Sequence, residues 1–267
     1  MDEPIILRHK VDELMRYAAA KAVIPRFRNL SESEVRTKSG PKDLVTAADE
    51  EAEQLLHEGL LKILPDSLVI GEEAAAADPF ILSHLTHHEP VWVIDPIDGT
   101  ANFVAGDPKF AIVIAMVDKR HAVFAWIHDP IKSRTLWAAQ GGGTWIEDKR
   151  LKVSVPHTQD FGAMSASMYH RAFKDSRNRF GKTRRCGSAA HEYWALVENH
   201  LQVSSFSRLK PWDHAAGVLI HSEAGGYTRM LDGLSYDPAN AEKRGLLSAP
   251  SKEIWTQIRT LADEEYV

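Results

Sequence analysis

The segment Val91-Trp-Val-Ile94 is wholly apolar, with three β-branched residues, and it runs without a break into Asp95-Pro-Ile-Asp98-Gly-Thr100. The apolar run reads as a strand. Two Asp residues three apart, with Pro96 between them and Gly-Thr after them, make a rigid turn at its end. Both carboxylates and the Ile97 carbonyl can then face one point. Hard oxygen donors converging in this way suit Mg²⁺. The same residues also serve as an Asp/Pro/Gly turn that does no more than end a strand.

Two further segments repeat the design. Leu68-Val-Ile70 leads into Gly71-Glu72-Glu73, a pair of acids that an ordinary exposed turn also carries. In Lys210-Pro-Trp-Asp213-His-Ala-Ala-Gly217 an Asp opens a helix of small residues, a place an N-cap aspartate also fills. Three such acids in one chain point to a two-metal site for phosphoryl transfer. A phosphate monoester dianion repels hydroxide. Cations that neutralise it and lower the pKa of a bound water are what such chemistry requires. No nucleophilic Ser or Cys is signalled, and Cys186 reads as a packed small hydrophobe.

The rest of the chain alternates between helical and strand patterns. Leu7, Val11, Leu14, Met15, Ala18 and Ala22 recur at helical spacing, with Pro25 near the end of the run. Thr46-Ala-Ala-Asp49 opens a second helix with a box-like cap, and Pro65 closes it. The polar stretch Lys38 to Asp43 between them is a loop. Strands are expected at 68–70, 91–94, 110–117, 122–127, 151–155, 164–168 and 202–206, and helices at 188–199, 214–224 and 251–263. A soft boundary near 150–160 divides the chain into lobes 1–155 and 156–267.

Composition removes several function classes. The 267 residues carry 32 Lys+Arg against 37 Asp+Glu, a net charge of −5, so no basic nucleic-acid footprint is present. The single Cys rules out a disulfide framework and a thiolate zinc cage and suits a reducing compartment. With no apolar run near the length of a membrane span and no leader pattern at Met1 to Lys10, a cytoplasmic protein is expected. His84, His87 and His88 read as a solvated surface patch, the Asn29-Leu-Ser31 sequon as incidental, and Trp126, Trp137 and Trp145 as core or interface.

Trp92-Val-Ile-Asp95-Pro-Ile-Asp98-Gly-Thr100-Ala-Asn102-Phe103 resembles the signature of the inositol monophosphatase family, and Trp212-Asp213-His-Ala-Ala-Gly217 with Glu223-Ala-Gly-Gly226 resembles its second signature. Gly71-Glu72-Glu73 and Lys38…Asp43-Leu-Val-Thr46…Asp49 match two more family segments, in order. The resemblance implies an α+β fold layered α-β-α-β-α, with the site between two lobes. It implies a phosphoric monoester hydrolase with two or three Mg²⁺ per site, commonly a lithium-sensitive homodimer, acting on a small phosphorylated metabolite such as inositol 1-phosphate. By position, Glu72, Asp95 and the Ile97 carbonyl would hold one Mg²⁺, and Asp95, Asp98 and Asp213 a second. Thr100, paired with Asp49, would help Glu72 deprotonate the attacking water. The amides of Gly99 and Thr100 would receive the phosphate, with Lys38 nearby, and Gly187, Ser188 and Ala189 would line the substrate pocket.

One departure bears on substrate. Seven residues before the second-signature Asp, inositol-handling members carry a Glu that bonds sugar hydroxyls; here Phe206 stands there. Arg208 and Lys210 are cationic neighbours suited to a more anionic or less hydroxylated substrate. Ala105 likewise stands where many members are polar. Histidinol phosphate and fructose 1,6-bisphosphate therefore remain alternative substrates within the superfamily. The short spacing from Glu72 to Asp95 argues against the adenosine bisphosphate phosphatases. A regulatory binding protein that keeps the pocket is the alternative from another class.

Overall fold

The computed structural model describes residues 3–38, 40, 44–157, 160–240 and 245–263. In chain order its strands and helices are α1 (Glu3–Ala18), β1 (Val35–Thr37), β2 (Leu44–Thr46), α2 (Ala47–Ile63), β3 (Leu68–Gly71), α3 (Glu72–Ala77), β4 (Val91–Asp98) and α4 (Thr100–Val104). The meander β5 (Ala111–Asp118), β6 (His121–Asp129), β7 (Arg134–Ala139), β8 (Gly143–Ile146) and β9 (Lys149–Leu151) follows. The second half holds β10 (Ser165–Met168), β11 (Lys182–Thr183), α5 (Ala189–Val197), β12 (Val203–Phe206), α6 (Pro211–Glu223), β13 (Tyr227–Met230), β14 (Leu246–Ala249) and α7 (Lys252–Arg259).

Strands β3 to β9 form one sheet in sequence order, parallel at β3–β4 and antiparallel elsewhere. A second sheet runs β11-β10-β12-β14-β13. All eight residues of β4 are buried, and alternate side chains go to opposite faces. Trp92 and Ile94 join Met15, Ala18, Ala52 and Leu56 of α1 and α2. Val91 and Val93 join Tyr193 and Leu196 of α5 and Ala215, Ala216 and Ile220 of α6. The far face of the second sheet, with Met168, Val203 and Leu247, buries Ile254, Trp255 and Ile258 of α7. The layers are therefore α-β-α-β-α, as the resemblance implied. A sheet covered on both faces explains why the first four residues of β4, Val91 to Ile94, are continuously apolar rather than alternating.

Some elements differ from their sequence reading. The strand expected at 151–155 ends at Leu151, because Val153 N turns to the Ala224 carbonyl and Ser154 N to Asn199 Oδ1. The first helix is regular only to Ala18 and continues as a wider π-type turn over Ala19–Val23, then a tight turn over Ile24–Arg26 that takes Pro25. Helix α6 begins at Pro211 rather than 214, with Pro in the first turn, where its missing N–H costs nothing. The segment carrying His84 is a 3₁₀ helix, Pro79–Thr86, which ends before His87, so the three histidines share no helical face. Strands β13 and β14, four residues each, were too short to read. Trp126 is fully buried, and Trp137 stacks on Trp145 across β7 and β8 with ring centroids 6.3 Å apart.

Candidate metal centre

The parallel pairing of β3 and β4 sets Gly71 beside Ile94, so the next residue of each strand, Glu72 and Asp95, leaves the same sheet edge. At that edge β4 breaks register with β5 between Asp95 and Asp98. Pro96 cannot donate to the ladder, and Ile97 N donates instead to Asp95 Oδ1 at 3.0 Å. Gly99 follows at φ +92°, where a Cβ would come 3.0 Å from the Lys109 carbonyl oxygen, so the turn demands glycine. Helix α6 packs over β4, β5 and β6 and brings Asp213, in its first turn, to the same point. One carboxylate oxygen from each of Glu72, Asp95 and Asp213 lies within 4.8 Å of the other two.

This trio is electrostatically incomplete. Burial pushes the Asp95 carboxyl well above the usual range, and Glu72, Asp98 and Asp213 push the same way. Asp213 is raised by burial, Asp98 and Glu72, with a hydrogen bond to Asp95 and then the charge of Lys210 opposing. Three hard oxygen donors that repel one another are the donor set a divalent cation such as Mg²⁺ satisfies, so the residues present fit that ion. The Lys38 ammonium answers part of the charge, donating to Glu72 Oε1 at 2.5 Å and to Glu73 Oε1 at 3.0 Å. Burial raises Glu73 to about 7 even so.

Asp98 stands apart from the trio. Both its oxygens are taken at the start of α5: Oδ1 accepts from Ala189 N at 3.1 Å, and Oδ2 from Ala190 N at 2.7 Å and from Ser188 Oγ. Burial still raises it to about 6. Ser188 and Ala189 are thus engaged by Asp98, while Gly187, at φ +74°, lies against Asn102, which donates to the carbonyls of Lys109 and Cys186. Asp49 caps α2: its Oδ2 accepts from Thr46 N at 2.8 Å and Thr46 Oγ1 at 2.5 Å. Burial raises it to about 6. Thr100 Oγ1 lies 3.3 Å from Asp49 Oδ1 and 3.1 Å from the Ile97 carbonyl, so its one proton goes to one of them. Cys186 has its thiol pushed up to about 11 by burial, then by Glu192, which leaves it inert near neutral pH.

A cavity of about 1140 Å³ opens onto Glu72 and Asp213, with Lys38, Arg208 and Lys210 also on its wall. Gly187, Ser188, Ala189 and Phe206 are not on that wall. The Phe206 ring stacks on Tyr193, with centroids 5.2 Å apart, and meets His214 edge-on at 4.7 Å. Of the first loop, Ser39 and Pro41 to Asp43 lie outside the described residues. Sequence reading passed over Glu53, whose buried carboxylate accepts from Glu73 N at 2.9 Å and Ala74 N at 2.8 Å and so fixes the turn that carries Glu72. A Cβ on Gly71 would fall 2.1 Å from Glu53 Cδ. The available signal was spacing: Asp49 and Glu53 are four apart on α2 and share its buried face.

The model of the inositol monophosphatase family matches residues 8–264. The chain is 31% identical over 232 residues to the fructose-1,6-bisphosphatase/inositol-1-monophosphatase of Aquifex aeolicus, covering 83% of this chain and 85% of that one. It is 33% identical over 212 residues to the Nus factor SuhB of Vibrio cholerae, covering 75% and 77%. Among solved structures, the IMPase of Thermotoga maritima superposes with a TM-score of 0.78 at 26% identity, covering 94% of this chain and 95% of that one.

Proposed function

The chain belongs to the inositol monophosphatase family, whose members are phosphoric monoester hydrolases, and from that premise we propose that it hydrolyses a small phosphate monoester with Mg²⁺ as cofactor. The observation that carries the reading is the convergence of Glu72, Asp95 and Asp213 beside a cavity whose wall Glu72 and Asp213 line. In this reading Glu72, Asp95 and the Ile97 carbonyl would hold one ion, and Asp95 and Asp213 a second, which Asp98 would join through the lone pair left on Oδ1, since that oxygen accepts only from Ala189 N. When bound, Mg²⁺ offsets the charge of the phosphate and lowers the pKa of a coordinated water.

The side chains do the rest. Thr100 has its proton engaged by Asp49 or the Ile97 carbonyl, so its oxygen lone pairs accept from a water and orient it rather than attacking phosphorus themselves. Glu72 takes the proton, with Asp49 behind Thr100 as the fixed acceptor. The amides of Gly99 and Thr100, at the start of α4, receive the phosphate oxygens. Lys38, already on Glu72 and Glu73, supplies a positive charge on the wall of the same cavity.

The proposal extends to two lobes, 1–155 and 156–267, divided at the polar stretch near 150–160, to a cytoplasmic location that the single Cys suits, and, on family likeness, to a lithium-sensitive homodimer. Among the described residues no helix is long and apolar enough to cross a membrane. The test is phosphate release from inositol 1-phosphate, histidinol phosphate, fructose 1,6-bisphosphate and glycerol 2-phosphate, with Mg²⁺ and with chelator. Release that depends on Mg²⁺ is expected. No release from any of the four would turn the reading toward a regulatory binding protein.

A further inference from the structure

Four described cationic side chains reach the wall of the 1140 Å³ cavity: Arg36, Lys38, Arg208 and Lys210. Two are neutralised within the protein. Arg36 Nη2 pairs with Glu50 at 2.5 Å, and Lys38 bridges Glu72 and Glu73. Among the described residues, neither Arg208 nor Lys210 has a carboxylate within ion-pair distance, although Lys210 is close enough to act on Asp213 through its charge, and both are exposed.

Their backbone is nevertheless held firmly. Tyr193 OH lies 3.0 Å from His214 Nδ1, and His214 Nε2 lies 2.7 Å from the Arg208 carbonyl oxygen. A carbonyl only accepts, so His214 carries its proton on Nε2, and Nδ1 accepts from the tyrosine. Phe206 packs on both rings of that chain, Leu209 is buried, and Pro211 starts α6. The strand-to-helix connection is therefore pinned on either side of Arg208. Lys210 lies over the Trp212 ring at 5.6 Å. A guanidinium and an ammonium on a fixed backbone, facing the same space as the acidic trio, form a receptor for an anion.

We infer that Arg208 and Lys210 form a second anion subsite, so that the preferred substrate carries, besides the scissile phosphate, another phosphate or carboxylate group. The inference rests on the hydrolase reading above and names its substrate class. Phe206 contributes indirectly: committed to the Tyr193–His214 stack, it shapes the connection and offers no partner for hydroxyls.

Two matched pairs of esters separate charge from size: fructose 1,6-bisphosphate against fructose 6-phosphate, and 3-phosphoglycerate against glycerol 3-phosphate. The wild type should favour the doubly anionic member of at least one pair by about tenfold or more in kcat/KM, the choice of pair telling phosphate from carboxylate. In Arg208→Ala that ratio should fall towards one, with the loss mostly in KM, while Arg208→Lys should restore part of it. Lys210→Ala should lower the ratio less, since an ammonium offers no fork to a planar or tetrahedral anion. Titration of the non-hydrolysable propane-1,3-diphosphonate in Mg²⁺ should show about tenfold weaker binding to Arg208→Ala, a readout independent of turnover. A ratio near one in the wild type, or an unchanged ratio and unchanged diphosphonate affinity in Arg208→Ala, overturns the inference. Absence of phosphate release from every ester by the wild type overturns the hydrolase reading instead, so the two failures are distinct.

Discussion

Asp95 and Asp98 belong to one turn, three residues apart and both buried, yet their surroundings are opposite. Asp98 looks toward α5 and receives two amides and a hydroxyl. Asp95 receives one amide, from Ile97, and otherwise faces Glu72 and Asp213. A buried carboxylate is tolerated when donors or a cation complete it. The protein completes Asp98 with its own N–H groups, as it does Glu53 with the first amides of α3. It leaves the trio to be completed from outside. Burial by itself therefore does not mark a cation site; the shortage of donors does.

The sharpest way to break that contrast is Asp95→Asn. At saturating Mg²⁺, kcat/KM should fall by more than about 100-fold, since partners one shell further out already cost 10–100-fold. The melting temperature of the metal-free protein should hold or rise, because a repelling charge has gone. Turnover within tenfold of wild type would remove Asp95 from its bridging place.

A second effect is carried by pH. Asp49 and Asp98 are raised from 3.8 to about 6, and Glu73 from 4.5 to about 7. Without metal, the folded protein thus binds protons more tightly than the unfolded chain. Stability should then fall as pH rises from about 4 through 7. Mg²⁺ acts on the ionised forms, so it should raise the melting temperature more at pH 8 than at pH 5. Melting curves at both pH values, in Mg²⁺ and in chelator, check this; an equal shift at both would mean that the acids carry no uncompensated charge.

The smallest effect expected is that of Asp98→Asn on stability. Its amide would set a donor against donors at the start of α5, costing about 1–3 kcal/mol by urea unfolding. Unchanged or increased stability would show Asp98 to be governed by repulsion, as Asp95 is, and would erase the difference between them.

The layered fold was legible only through the family resemblance, whereas the acids at strand ends and at a helix start were legible because local chemistry announces them. Apolar β-branched runs end in Asp-Pro-x-Asp-Gly, and an Asp opens a helix of small residues. Glu53 was not legible as a positioning residue. Its function depends on amides 20 and 21 residues away, at Glu73 and Ala74, which only the packing of α2 on β3 brings near. The place of Phe206, seven residues before Asp213, does not by itself tell a pocket wall from a packed side chain. The structure gives its ring to Tyr193 and His214, because aromatic neighbours on α5 and α6 meet it first.

By itself the sequence determined the family, the alternation of strands and helices, and which residue types supply hard oxygen donors. The family follows from the resemblance of four ordered motifs, and the rest from periodicity, turn chemistry and side-chain identity, all of which act over a few residues. Only the tertiary structure decided which carboxylates share a point, which are already satisfied, and which cations remain for a ligand. Those distinctions are sums over neighbours from distant segments, Asp98 with Ser188 and Arg36 with Glu50 among them, and a carboxylate carries no mark of the donors it will meet until the chain is packed.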